Sequence, residues 1–162
     1  MNWKSTMSLN LAAFLVFALC AAKMAKAALP ADACSTLSAS QIEKTLGQTF
    51  NAPDVSKWPP AFGKQPWGTK CEYNSKNTPE MDVTLILYVD ASTSEAKQTF
   101  DKLSLWFPPK SKEAIGDSAY LDGNHAIHVL KGNIRYYISI SPANEKHAID
   151  LASLIAARIS SY

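Results

Sequence analysis

The stretch 125–141 reads HAIHVLKGNIRYYISIS, and its centre decides how the chain folds. Gly132-Asn133 divides it into two runs rich in Ile, Val, Leu and Tyr, and a two-residue turn led by glycine is the signature of a type II′ β-hairpin. A turn of that length permits one register. Lys131 faces Ile134, so Val129 pairs with Tyr136, Ile127 with Ile138 and His125 with Ile140 on one face. The opposite face pairs Leu130 with Arg135, His128 with Tyr137 and Ala126 with Ser139. The first of these faces is apolar and is expected to lie under helices. The second, mixed aromatic and polar, is then expected to be partly open.

Working outward, Val83, Leu85, Leu87 and Val89 alternate with Thr84, Ile86 and Tyr88 in a further strand, with a shorter partner around Lys70 to Tyr73. Ser118 to Leu121 leads into the hairpin through Asp122-Gly123. Ser38-Ala39-Ser40-Gln41 has the form of a capping box, and Ile42, Leu46 and the terminating Gly47 complete a short helix. Ser92-Thr93-Ser94-Glu95 opens a second helix, with Ala96, Phe100, Leu103 and Phe107 at helical spacing until Pro108-Pro109. A third runs from Ala143 to Ser160, with Ala148, Leu151, Ala152, Ile155 and Ile159 in one stripe. The order α-β-β-α-β-β-β-α predicts one α+β domain, an antiparallel sheet of about five strands covered by helices.

At the N-terminus Lys4 precedes an apolar run from Leu11 to Ala22, and Ala25-Lys26-Ala27 follows, the order of a secretory signal peptide. That run is about 12 residues, roughly 18 Å as a helix, short of the ~30 Å hydrocarbon core a spanning helix crosses. Cys20 lies within it, but Leu19 stands where a lipid-modification site needs a small residue. The reading is therefore a signal peptide over 1–27 and a single exported domain over 28–162, periplasmic or secreted, with no transmembrane anchor once the signal is removed. Taking 27 from the 162 residues leaves 135, and losing Lys4, Lys23 and Lys26 takes 16 basic residues to 13 against 14 acidic ones. Along so neutral a chain no basic stripe argues for nucleic acid or an anionic membrane surface. Cys34 and Cys71 remain as an even pair, expected to form a disulfide that closes a loop of about 37 residues, worth roughly 4 kcal/mol on the chain-entropy account.

Four features carry candidate chemistry. Gly116-Asp117-Ser118 with Asp122 and His125 has the outward form of the nucleophile and Asp-x-x-His blocks of GDSL-type esterases. The spacing is wrong for that family, because seven residues separate Ser118 from His125 and Ala119 stands where the motif has leucine; a turn in which Asp117 bonds its own backbone is the plainer reading. His125 and His128 point to opposite sides of a strand and His147 is remote, so no metal site and no cofactor are expected. The segment 48–69 carries Trp58, Pro59, Pro60, Phe62, Pro66 and Trp67, too aromatic for a tether. It reads either as a cover over the end of the sheet or as a stiff recognition loop. Finally, His128, Arg135, Tyr137 and Ser139, extended by Thr84 and Tyr88, read as a ligand platform or as an ordinary solvent-facing half-sheet.

Cys34 before a helix ending Ile42-x-x-x-Leu46-Gly47, the Cys71-x-Tyr73 strand, the Ile115-Gly-Asp-x-Ala-Tyr120 turn, the hairpin and a final Leu/Ala-rich helix together resemble a group of small bacterial exported domains. The group includes actinobacterial lipoproteins and the extracellular sensor domains of mycobacterial serine/threonine kinases. The resemblance implies a sheet-and-helix domain that binds something outside the cytoplasm, without an active site to carry over. The expected function is that of a non-enzymatic binding module for a small molecule or an envelope or extracellular protein, with Trp58, Phe62, Trp67, Tyr88, His128, Arg135 and Tyr137 as ligand residues. The alternatives are a small secreted hydrolase using Ser118 and His125, or an inhibitor or immunity-like protein presenting the Trp58–Trp67 loop.

Overall fold

A computed structural model describes residue 30, residues 32–63 and residues 65–159; the signal segment 1–27 lies outside the described residues. The chain is an α+β fold: a seven-stranded antiparallel sheet with helices on both faces. It begins with α1 (Ala33–Thr36) and α2 (Ala39–Leu46), followed by β1 (Asp54–Trp58), β2 (Gly68–Asn74) and β3 (Asp82–Val89). Then come α3 (Thr93–Trp106), β4 (Pro109–Glu113), β5 (Ser118–Asp122), β6 (Ile127–Lys131), β7 (Ile134–Ser141) and α4 (Glu145–Ile159). Two meanders meet at the centre, in the order β1-β2-β3-β7-β6-β5-β4. Helix α3 makes the crossover from β3 to the far edge.

The hairpin forms as its turn dictates. Lys131 pairs with Ile134, Leu130 with Arg135, Val129 with Tyr136, His128 with Tyr137 and Ile127 with Ile138. Gly132 has φ 59°, while Asn133 keeps a negative φ, as a type II′ turn requires. Pairing stops at Ile127, so the expected pairs of His125 with Ile140 and Ala126 with Ser139 are not made. The Asp122 carboxylate instead captures the Asn124 and Ala126 amides at 2.8 and 2.9 Å, and His125 takes the left-handed conformation, φ 65°.

Helix caps are where the side chains put them. Ser38 and Gln41 bond each other's backbone amides reciprocally, Gly47 closes α2 at φ 66°, and Ser92 accepts from Glu95 N at 3.1 Å. The strand count exceeds the five expected because both edges lack the alternation by which strands are recognised. β1 is exposed at four of its five positions, and β4, PKSKE, begins on the second of two prolines that read only as a helix stop. Proline and lysine on an edge are what keeps it from pairing further. The additional helix, α1, is a single turn capped by Asp32.

The core lies on the face bearing Leu85, Ile138, Val129, Ile127 and Tyr136, against Leu37 and Ile42 from the first helices and Ala148, Leu151, Ala152 and Ile155 from α4. Cys34 and Cys71 are joined, with Cα atoms 5.2 Å apart, so the disulfide pins α1 to β2 beneath this core. Two tyrosines fasten helices to the sheet through their hydroxyls. Tyr136 donates to Ala152 O at 2.7 Å and Tyr73 donates to Leu37 O. Burial pushes the Tyr73 phenol up to about 12, with Asp32 adding to the effect, so it remains a donor. No helix among the described residues is long and apolar enough to cross a membrane.

Candidate functional site

On the opposite face the register aligns side chains into two neighbouring rows. One runs Trp58, Gly68, Tyr88, Arg135, Leu130, Ser118 from β1 across to β5; the other runs Ser56, Lys70, Ile86, Tyr137, His128, Tyr120, Lys112 from β1 to β4. Five of the seven expected ligand residues fall in these rows: Trp58, Tyr88 and Arg135 in the first, His128 and Tyr137 in the second. Gly68 is the gap that lets them pack, since a Cβ there would stand 2.7 Å from Tyr88 Cε1.

The face is not the half-open platform expected from the alternation. Tyr88, His128 and Arg135 are 5, 6 and 2% exposed, while Tyr137, Ser139 and Thr84 remain half-buried. Helix α3 lies over it, with Ala96 and Phe100 meeting Tyr120 and Leu130 in a small second core. Most of the polar groups here are paired rather than solvated, although Arg135 Nη1 and the Tyr120 hydroxyl are buried without a partner among the described residues. Asp90, just past β3, accepts from Arg135 Nε at 2.6 Å and Nη2 at 3.0 Å, a forked pair with both side chains buried. The guanidinium also sits 4.7 Å over the Tyr88 ring. Burial raises the Tyr88 phenol, Arg135 opposing the shift and Asp90 adding to it. Tyr88 donates to Pro59 O at 3.0 Å, tying the start of the loop to the sheet.

The second row ends in a ring stack. His128 lies 4.7 Å from Tyr120 at 10°, with Phe107 of the α3 cap at 5.5 Å and Tyr137 at 5.4 Å. His128 Nε2 bonds Asp122 Oδ2 at 2.9 Å. Burial works against ionisation of Asp122, but the bonds from His128, Ala126 and Asn124 outweigh it and hold the carboxyl below its usual value. Burial pushes Tyr137 up to about 12, with Tyr88 and Asp122 adding. The space among Tyr88, Phe100, His128, Arg135 and Tyr137 is only ≈ 20 Å³, room for about one water molecule.

The segment expected as one long loop contains β1, and the true connection spans 59–67. Its aromatics divide between the two readings. Trp58 is half-buried with Lys70 Nζ 5.4 Å over its ring; Phe62 packs edge-on to Trp106 at 5.3 Å; Trp67 is 63% exposed. Gln65 anchors the connection by donating from Nε2 to Thr99 Oγ1, which in turn donates to Glu95 O at 2.9 Å. Between this loop and α3 runs an open groove of ≈ 670 Å³, lined by Gln65, Pro66, Val89, Asp90, Ala91, Glu95, Gln98, Thr99 and Lys102. The Gln65 Oε1 atom is buried there with no partner among the described residues.

The esterase-like residues have structural employment. Gly116 sits at φ 62° with the Leu130 carbonyl 2.5 Å from where a Cβ would lie, and Asp117 accepts from Gly132 N at 2.7 Å and Lys131 Nζ at 3.0 Å. The carboxylate therefore holds the hairpin turn rather than its own backbone. The Asp122 carboxylate bonds the ring of His128 and not that of His125, whose Nδ1 pairs with Glu145 at 2.5 Å. Ser118 faces Leu130 across the ladder. Among the described residues no group of three or more His, Cys, Asp and Glu side chains is placed to hold a metal ion.

Asp90 and Gln65, which the sequence reading did not mention, and Phe107 and Tyr120, which it placed on a helix stripe and in a turn, complete the site. Asp90 carried the one local signal, a carboxylate ending an apolar strand just before a helix cap, but its partner is 45 positions away. No protein-family model matches the chain, and no curated protein matches it either.

Proposed function

We propose that the chain is an exported, non-enzymatic binding module whose ligand enters the groove between the 59–67 connection and α3. The observation that carries this reading is the Gln65 amide, with its nitrogen satisfied by Thr99 and its oxygen buried without a partner among the described residues. A buried acceptor left unpaired costs about 1–3 kcal/mol, so a ligand N–H or O–H delivered to it recovers that free energy. Val89, Ala91 and Pro66 supply an apolar wall, and Glu95, Gln98 and Lys102 a polar rim, the usual division of labour in a small-molecule site. Beneath it the Asp90–Arg135 pair fixes one wall, because Asp90 both lines the groove and holds Arg135. The leader read in 1–27 and the Cys34–Cys71 disulfide support placement outside the cytoplasm.

The ligand class follows from the lining: a small polar molecule carrying a hydrogen-bond donor and a short apolar body, such as an acylated amino-acid amide or a sugar. Titrating the 15N-labelled protein with N-acetyl amino-acid amides and simple monosaccharides tests it. Shift changes clustered at Gln65, Ala91, Glu95, Gln98 and Lys102, and weakened at least about tenfold in Gln65→Leu, are expected. Changes confined to another surface, or equal in Gln65→Leu, defeat the assignment. Ester hydrolysis lost in Ser118→Ala would move the protein to the hydrolase class instead.

A further inference from the structure

We infer that the tip of α3 is a docking surface for an anionic lipid bilayer, which it enters to the depth of the headgroups. Leu105, Trp106 and Phe107 are 78, 71 and 36% exposed, three of the six large apolar side chains that reach solvent among the described residues. Pro108 and Pro109 follow, both exposed, so five consecutive apolar residues stand at the surface. Phe62 of the loop props Trp106 from the side. Leu105 and Trp106 lie off the helical stripe of Ala96, Thr99 and Phe100 that packs on the sheet, whereas Phe107 turns part of its ring onto His128. Core packing therefore does not account for Leu105 and Trp106.

The charge around the tip points to the occupant. Residues 97–113 contain Lys97, Lys102, Lys110 and Lys112 against Asp101, which is paired with Lys97, and Glu113, which accepts from Ser111 Oγ at 2.7 Å. Lys110 is paired with Glu145 from α4. Lys102 and Lys112 are exposed on either side of the apolar tip. Lys97 belongs to the opposite end of α3, so the lysines that border the tip are Lys102 before it and Lys110 and Lys112 after it. Trp and Leu flanked by lysines is the composition of interfacial membrane segments, where the rings sit among headgroups and the ammonium groups reach lipid phosphates. Protein interfaces instead tend to exclude lysine. A second copy docking tip to tip would bring like-charged lysine sets together.

Sedimentation with 100 nm vesicles decides the matter. The intact protein should partition onto phosphatidylcholine vesicles containing about 30% phosphatidylglycerol and far less onto phosphatidylcholine alone, with loss of binding as salt rises. The double variant Leu105→Ser/Trp106→Ser should reduce the partition coefficient at least about tenfold while the melting temperature stays near that of the parent. Lys112→Glu, which leaves the apolar tip intact, should reduce it roughly fivefold or more and serves if the double variant fails to fold. The inference is overturned if the anionic vesicles do not retain the protein or if both variants bind like the parent. It is also overturned if sedimentation equilibrium shows a dimer that Leu105→Ser/Trp106→Ser dissociates.

Discussion

The two faces of the sheet are closed by opposite means. Under α1, α2 and α4 the contacts are almost wholly apolar, with the disulfide as a staple and two tyrosine hydroxyls as the main polar links. Under α3 only four residues form an apolar cluster, and the rest is a forked ion pair, a cation–π contact and a stack of rings around His128. The first face tolerates imprecision, because apolar contact has no direction; the second depends on directed bonds between named polar groups. The groove and the exposed tip both belong to the second face, where side chains are held by bonds that also fix their orientation.

The largest expected effect tests whether that face is held by charge. Asp90→Ala leaves the Arg135 guanidinium buried without its carboxylate and should destabilise by about 3–5 kcal/mol in urea unfolding. Adding Arg135→Met should recover much of the loss, because two apolar groups replace two buried charges. A double variant as unstable as the single one would show that the pair's value lies in its shape rather than its charge. On the apolar face, Leu151→Ala should cost about 3 kcal/mol through the cavity it opens, with no second substitution of comparable remedy.

Gly68→Ala probes the seam between the loop and the sheet. The new methyl meets Tyr88 Cε1 at 2.7 Å and Leu87 O at 3.0 Å, so the ring has to leave both Arg135 and the Pro59 carbonyl. A loss of about 1–3 kcal/mol is expected, with sharpened or shifted amide resonances from Pro59's neighbours to Trp67. Unchanged stability and spectra would mean that the ring has room to move, and that the loop is not fastened through Tyr88.

What could be read from the sequence follows the same division. The hairpin register from Lys131 back to Ile127, the caps at Ser38 and Ser92, the helical stripe of α4 and the Cys34–Cys71 pairing were legible, and each is realised. β1 and β4 escaped because an edge strand has only one neighbour and needs no apolar alternation. The closure of the second face escaped for a different reason. Arg135, His128 and Tyr88 have the composition of a wet surface, and only partners distant in sequence, Asp90, Phe107 and Pro59, make them a buried one. The Gly116-Asp117-Ser118 motif was legible as a turn, but the partner of Asp117 was not: its carboxylate accepts from Gly132 and Lys131, about 15 positions on, instead of from its own backbone.

That turn supplies the smallest effect, and one that separates hydrogen bonding from packing on this face. The Gly132 amide, and secondarily Lys131, hold the Asp117 carboxyl below its ordinary value of 3.8, although the side chain is largely open to solvent. Because the folded value lies below the unfolded one, the contribution is complete above the unfolded value and disappears as pH falls through the folded one. Asp117→Asn should therefore differ from the parent by a constant, small amount above about pH 5, and the two unfolding curves should converge as the pH falls below the ordinary carboxylate range. Solvent screening and salt weaken the Lys131 part, so the amide bond to Gly132 should dominate at high ionic strength. A difference that persists unchanged at low pH would locate the role of Asp117 in the geometry of the turn rather than in its charge.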